Sequence, residues 1–214
     1  MPRPRFEKLS EEKKAAILDA ATEAFASAGF HGASYNQIIE AAGISKGAMY
    51  YYFDDKEDLF ATVVDRSLHG VVDALGSFPE VEGIDAFWRA LDDFMDQMLD
   101  LSLRAPHAFA LMRHVLKLDA EGGIKKPILR EIRQMNLDWS RHFLKAGQGV
   151  GAVRDDLPLD FLVRILGALD EAGDLWFVEQ YETIDAQAMK TYGKILTDLI
   201  RRLVAPEVSF TPGS

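Results

Sequence analysis

The sequence predicts an all-α protein of about nine helices, and three observations carry that prediction. Apolar residues recur at three- and four-residue spacing along most of the chain. No segment alternates apolar and polar side chains with period two over the length of a strand. Proline and glycine stand at the joints between the periodic segments, at Gly29, Gly76, Pro79, Pro106, Pro127, Pro158 and Pro206. The chain divides into a three-helix helix-turn-helix unit over residues 1–55, a larger helical body over 56–205 and a frayed tail over 206–214.

Taken in order, Ile17, Ala21, Ala24, Phe25 and Ala28 make the apolar stripe of a first helix, with Ser10 as its N-cap and Gly29 just past its end. Ser34 caps a second helix through Ala42, and Ser45 caps a third of barely two turns that ends near Phe53. Asp54 or Asp55 opens a fourth, whose stripe of Leu59, Phe60, Val63, Val64, Leu68 and Val71 runs until Gly76 and Pro79. This helix links the two parts, and a continuous helix is a stiff link. A fifth spans Ile84 to Leu103. Pro106 starts a sixth that reaches about Leu118, before the glycines of AEGG. Pro127 starts a seventh that ends at a loose AGQGVGAV segment. Pro158 starts an eighth that reaches about Tyr181, and Asp185 caps a ninth that closes before Pro206.

Composition narrows the function. With 48% hydrophobic and 27% charged residues, the chain has the balance of a globular protein with a sizeable core. It contains no cysteine, which excludes disulfides, cysteine-ligated zinc and thiol nucleophiles. The N-terminus lacks the apolar stretch of a signal peptide and no run is long enough for a membrane span, so the reading is cytoplasmic, with no membrane partner. The net charge of −10 is unevenly spread. Residues 1–53 hold six Lys/Arg and six Asp/Glu, while the rest hold 18 against 28. That asymmetry suits a neutral N-terminal face approaching DNA ahead of a body that DNA repels, and it equally suits an acidic surface kept soluble.

The second and third helices meet at Ala41-Ala42-Gly43-Ile44-Ser45. Ala41 allows close approach, Gly43 takes the positive φ of a sharp helix exit, Ile44 is placed as a hydrophobic staple and the Ser45 hydroxyl accepts from the first turn of the next helix. The third helix then divides its faces. Met49 and Phe53 point inward beside Phe25 and Ile38, while Lys46, Gly47 and Tyr50 share the opposite face. Against a DNA major groove, Lys46 reaches guanine O6 and N7, Gly47 brings backbone close, and Tyr50 meets a thymine methyl with its ring and a base or phosphate with its hydroxyl. Tyr51 and Tyr52 flank this face, where phosphate contact is the expected role.

Other motifs have plainer explanations. Gly43-Ile44-Ser45-Lys46-Gly47 matches the G-x-S-x-G nucleophile elbow, yet that elbow needs a preceding strand and a sheet, and Ser45 is accounted for as a cap. Gly147-Gln148-Gly149-Val150-Gly151 follows a helix rather than a strand, so it reads as a flexible joint rather than a dinucleotide loop. His107 and His114 share a helix face without a third ligand, so no metal site is assigned. Asp92, Asp96 and Asp100 read as a solvated face. Asp170 and Asp174, beside Trp176 and Phe177, either pair with arginines or receive a cationic ligand. The last two helices carry broad apolar stripes that include Leu162, Leu166, Leu169, Tyr192, Ile195, Leu196, Leu199 and Leu203, more apolar surface than one chain covers, which points to self-association.

The block from about Lys13 to Phe60 closely resembles the DNA-binding domain of the tetracycline-repressor (TetR) family of bacterial transcriptional regulators. AILDAATEAFASAGF, Gly32 and Ser34, IIEAAGISKGAMYYYF and DKEDLF with Lys56 and Leu59 carry the resemblance. It implies base-edge contacts by Lys46, Gly47 and Tyr50, backbone contacts by Tyr51 and Tyr52, and phosphate contacts by Ser34, Tyr35, Gln37 and Lys56 near helix N-termini. Ser45 belongs to the same set, and Tyr35 stands where the family more often has a small hydroxyl residue. The resemblance further implies an effector cavity in the body, for which Trp88, Phe94, Met95, Met98, Phe109, Met112, Arg113, Trp139, Phe143, Asp170, Asp174 and Phe177 are the candidates. It implies a dimer interface on the last two helices. A two-fold dimer would set its recognition helices about 34 Å apart on a palindromic operator.

The expected protein is thus a homodimeric, ligand-responsive repressor whose partners are double-stranded operator DNA, a small-molecule effector and a second copy, with no cofactor and no catalysis. Two alternatives stand beside it: a DNA-binding protein with an architectural or division-linked role, and a serine hydrolase using Ser45.

Overall fold

The structure, a computed structural model, describes residues 2–120, 127–180 and 185–206, with side chains other than those of 119, 120, 127–133, 177–179 and 186. Among the described residues the fold is all-α, as the sequence predicts, with nine helices: α1 (Glu11–Gly32), α2 (Tyr35–Ala41), α3 (Lys46–Tyr52), α4 (Lys56–Leu75), α5 (Ile84–Arg104), α6 (Pro106–Ala120), α7 (Pro127–Gly149), α8 (Leu159–Gln180) and α9 (Ala186–Val204). The tail assigned to 206–214 lies outside the described residues from 207 onward.

Local chemistry sets most of the boundaries. Ser34 accepts from the Gln37 amide, Ser45 from the Ala48 amide and Asp185 from the Ala188 amide, so α2, α3 and α9 each begin on a side chain that satisfies an otherwise orphaned N–H. Of the two aspartates offered for α4, Asp55 is the cap. Its carboxylate accepts from the Asp58 amide at 2.8 Å, and the Asp58 carboxylate accepts in turn from the Asp54 amide at 3.1 Å.

Three expectations are corrected. Ser10 stands at the N-cap of α1 but makes no side-chain capping bond. Gly29 does not end α1 but sits in a kink within it, at φ 67° and ψ −179°, after which the helix resumes to Gly32. The AGQG part of the supposed loose joint is the last turn of α7, and the residues beyond it form a built turn. Gly151 adopts φ 74°, its amide donates to the Gln148 carbonyl, and the Ala152 amide donates to that of Gly147 at 2.8 Å, a Schellman closure. A Cβ at Gly147 would collide with the Val153 side chain and fall 2.6 Å from Phe87, so packing demands glycine there.

Two compact units divide the chain, one of residues 1–74 with 102–130 and one of 75–101 with 131–214. In the first, α6 packs along α1 although some seventy residues separate them. Its core holds Ile17, Phe25, Ile38, Met49, Phe53, Phe60 and Val63, with Phe60 meeting Phe25 edge to face at 4.9 Å. The second unit is centred on Phe78, Phe87, Leu91, Phe143, Leu144, Leu162, Leu166 and Val204.

Candidate nucleic-acid interface

The turn between α2 and α3 follows from its residues. Gly43 takes φ 65°, a conformation that side-chain-bearing residues avoid, and this lets the chain leave α2 within three residues and enter α3 on the Ser45 cap. Met49 and Phe53 are wholly buried and fix the inner face of α3. Fixing that face decides the other. Lys46, Gly47, Tyr50 and Tyr51 are exposed, the two tyrosines at 43% and 47%. Large aromatic rings left half in water on a seven-residue helix are an expensive arrangement unless something outside covers them. Nothing inside the protein asks for glycine at 47, because a Cβ there would meet only the Ser45 hydroxyl, at 4.0 Å.

Tyr35 and Tyr50 pack crosswise, ring centroids 5.5 Å apart at 72°. The Tyr35 hydroxyl is buried without a hydrogen-bond partner among the described residues. Burial, with the nearby Tyr50, Asp55 and Asp58, pushes its pKa up to about 12. Its ring therefore backs Tyr50 while its hydroxyl faces inward. Lys56 is also turned to internal use: Nζ donates to the Ala33 carbonyl at 3.0 Å and stands 4.8 Å over the Phe30 ring, tying the start of α4 to the linker ahead of α2. Ser34 and Gln37 lie at the start of α2, Ser34 half-buried and Gln37 exposed.

Sequence reasoning missed the segment ahead of α1. Arg3 donates its amide to the Tyr52 carbonyl at 2.9 Å, Nη1 to the Tyr50 carbonyl at 3.1 Å and Nε to Asp54 at 2.8 Å. It thereby satisfies carbonyls that the end of α3 leaves open. Phe6 is buried 4.9 Å from Phe53, and the Arg5 guanidinium lies 4.2 Å from the centre of the Tyr51 ring. The only signal in the sequence was a basic, aromatic Arg-Pro-Arg-Phe opening.

The residues singled out in the body separate. Phe109, Met112 and Arg113 lie on α6 in the first unit, while Trp88, Phe94, Met95, Met98, Trp139, Phe143, Asp170 and Asp174 lie in the second. The side chain of Phe177 lies outside the described ones. Phe143 is fully buried and stacks on Phe87 at 4.8 Å and parallel to Trp139 at 5.4 Å, with Phe94 against the indole at 4.7 Å. Trp88 receives the Arg201 guanidinium at 4.9 Å. Met95 borders a hollow of about 330 Å³ between α5 and α9, ringed by Asp92, Asp96, Lys190 and Lys194. Asp170 and Asp174 continue the inward stripe of Leu162 and Leu166 along α8. Burial pushes their carboxyls up to about 6 and about 7, with Asp170 adding to the rise at Asp174. Among the stripes offered for self-association, Leu162 and Leu166 are spent in the core of the second unit, whereas Ile195 and Leu199 stand exposed with Phe161 and Trp176. Leu169, Leu196 and Leu203 pack partly buried against that core, and Tyr192 stacks on Trp176 at 4.9 Å. The Tyr192 hydroxyl occupies the place where a Cβ of Gly173 would be, 2.6 Å away, so that glycine lets α8 and α9 close together.

A short capped helix turned outward on an apolar anchor, behind a second helix and a glycine turn, defines a helix-turn-helix module. Residues 17–63 match the family model "Bacterial regulatory proteins, tetR family", so this module is similar to the DNA-binding part of the TetR regulators. The HTH-type transcriptional regulator RutR of Escherichia coli K12 is 44% identical over 68 residues, 32% of this chain and 32% of RutR, so the match spans about a third of that relative. UidR of the same strain, also named an HTH-type transcriptional regulator, is 27% identical over 202 residues, covering 92% of this chain and 86% of UidR. Among solved structures, SmeT, the repressor of the Stenotrophomonas maltophilia multidrug efflux pump SmeDEF, superposes with a TM-score of 0.71 at 19% identity, over 98% of this chain and 96% of its own. A TetR family regulator from Chloroflexus aurantiacus superposes with a TM-score of 0.66 at 22% identity, over 96% and 99%. These likenesses establish the fold. The family comprises DNA-binding regulators rather than enzymes, and Ser45, following helix α2 rather than a strand, is its helix cap.

Proposed function

We propose that this chain is a cytoplasmic, homodimeric transcriptional repressor that grips a palindromic operator with α3 and releases it when a small molecule occupies the body. One observation carries the reading: Lys46, Gly47, Tyr50 and Tyr51 are exposed together on α3, on a helix anchored by wholly buried Met49 and Phe53. That is the division of faces a groove-reading helix requires. Lys46 and Tyr50 contact base edges and Gly47 admits the backbone. Tyr51, Tyr52, Ser34, Gln37 and the α3 cap at Ser45 line the phosphates, while Tyr35 and Lys56 hold this surface from behind. Residues 1–55 thus form the DNA-binding part and 56–205 the effector and dimer part. The exposed apolar side chains of α8 and α9 support pairing with a second copy, and SmeT, itself a repressor, supports the negative sense of regulation.

Release needs an effector that prefers the state unable to match the groove spacing, since a ligand with equal affinity for both states shifts nothing. α4, which begins immediately after the recognition helix, is the element proposed to transmit that preference. The test is fluorescence anisotropy with duplex DNA flanking the protein's own gene. Tight binding that Lys46→Ala and Tyr50→Ala weaken supports the reading, and binding that neither variant changes overturns it. A ligand that raises the melting temperature and releases the duplex identifies the effector class.

A further inference from the structure

We propose that residues 2–9 are a second DNA-contacting element, an arm that holds the Arg5 guanidinium against a backbone phosphate beside α3; this rests on the reading of α3 as the recognition helix. The arm is folded onto the module. The Phe6 amide donates to the Arg3 carbonyl at 2.9 Å and the Leu9 amide to the Phe6 carbonyl at 3.0 Å, giving two consecutive turns. Arg3 pins one end to the Tyr50 and Tyr52 carbonyls and to Asp54, and buried Phe6 pins the other against Phe53.

Arg5 sits between those two anchors, so its backbone is fixed although its side chain is in water. Its charge is also uncommitted. Arg3 is paired with Asp54 and Lys14 with Glu7 and Glu11, whereas Arg5 has no carboxylate partner among the described residues and rests on the face of Tyr51 at 4.2 Å. A ring beneath a guanidinium attracts the cation without neutralising it and leaves its N–H edge free to donate. Tyr51 is itself half-exposed, next to Tyr50 and one helical turn beyond Gly47, so the guanidinium stands on the flank of the reading face. A planar, permanently charged fork at that position matches a DNA phosphate. In a region whose charges sum to zero, one such pre-placed cation is a large share of what phosphates can meet.

The experiment measures binding of the whole chain to the duplex flanking its own gene and to an unrelated duplex across a NaCl series, for wild type, Arg5→Gln, Arg5→Lys and Lys46→Ala. Arg5→Gln is expected to weaken both duplexes by the same factor, to lower the slope of log affinity against log salt by about 0.9 per protomer, and to leave the melting temperature unchanged; Arg5→Lys is expected to restore the slope. A wild-type slope in Arg5→Gln, while Lys46→Ala still loses specific binding, overturns the arm alone. A wild-type chain that binds neither duplex overturns the recognition helix with it. Discrimination between the two duplexes that falls in Arg5→Gln, at an unchanged slope, overturns the phosphate assignment in favour of base reading.

Discussion

The imidazole of His114 lies against Gly29, where a Cβ would come within 3.0 Å of Nδ1, and its Nε2 donates to the Ala26 carbonyl at 3.2 Å. Because a carbonyl only accepts, the proton is on Nε2. The histidine of α6 is thus seated in the kink of α1, at a backbone conformation reserved for glycine.

Gly29→Ala therefore meets two obstacles, the positive φ and the ring. We expect it to destabilise the protein by about 1–3 kcal/mol, read as a lower urea midpoint. His114→Ala in the Gly29→Ala background is expected to recover only the part due to the ring, since the backbone strain stays. Complete recovery would assign the whole cost to the contact.

The cap serines make a paired prediction. Ser45→Ala and Ser34→Ala each remove an acceptor from an N-terminal amide, at about 1 kcal/mol apiece. Ser45, at 3.1 Å, should cost more than Ser34, at 3.4 Å. Thermal melts of the two variants check the order, and an Ser45→Ala chain as stable as wild type would remove the cap as the explanation of that serine.

On α8 and α9, exposure separates what a partner copy can cover from what the fold has already used. Ile195→Asp with Leu199→Asp is expected to convert the proposed dimer to monomer in analytical ultracentrifugation with the helix content kept, because both side chains are half-exposed. Leu166→Asp is expected instead to unfold the second unit, by placing a carboxylate in its core.

Asp170 and Asp174 give stability a pH dependence of known sign. Their carboxyls are held up to about 6 and about 7 in the folded chain, against about 3.9 when unfolded. Between those values the native state keeps protons that the unfolded chain has released, so stability falls as pH rises from about 4 to about 7. Asp170→Asn with Asp174→Asn should flatten that decline in urea midpoints measured across the window. A decline as steep as in wild type would mean that other groups cause it.

How much of this was legible in the sequence depended on the range of the interaction. The helix-turn-helix could be read because each determinant is local: the Gly43 turn, the Ser34 and Ser45 caps, and the four-residue spacing of Met49 and Phe53. The seat of His114 in α1 was not, since a histidine 85 residues from its glycine leaves no periodic mark, and Gly29 followed by a short gap reads as a helix end. The N-terminal arm was missed for the same reason, because Arg3 binds carbonyls some fifty residues on, and a carbonyl acceptor has no side-chain signature. In the body, stripe width assigned Leu162 and Leu166 to a partner copy, and Phe143 was offered for a cavity, whereas all three are packed in the core of their own unit; the width of a stripe does not tell which surface meets it.

The most direct test of the central claim is selection of binding sequences from a random duplex pool by the full-length protein. The account predicts enrichment of a two-fold symmetric site with half-site centres about 10 base pairs apart, or a multiple of that. It also predicts that Lys46→Ala and Tyr50→Ala each weaken binding to that site by about 1–3 kcal/mol. Failure to enrich any sequence, or recovery of the same site with undiminished affinity by both variants, would contradict it.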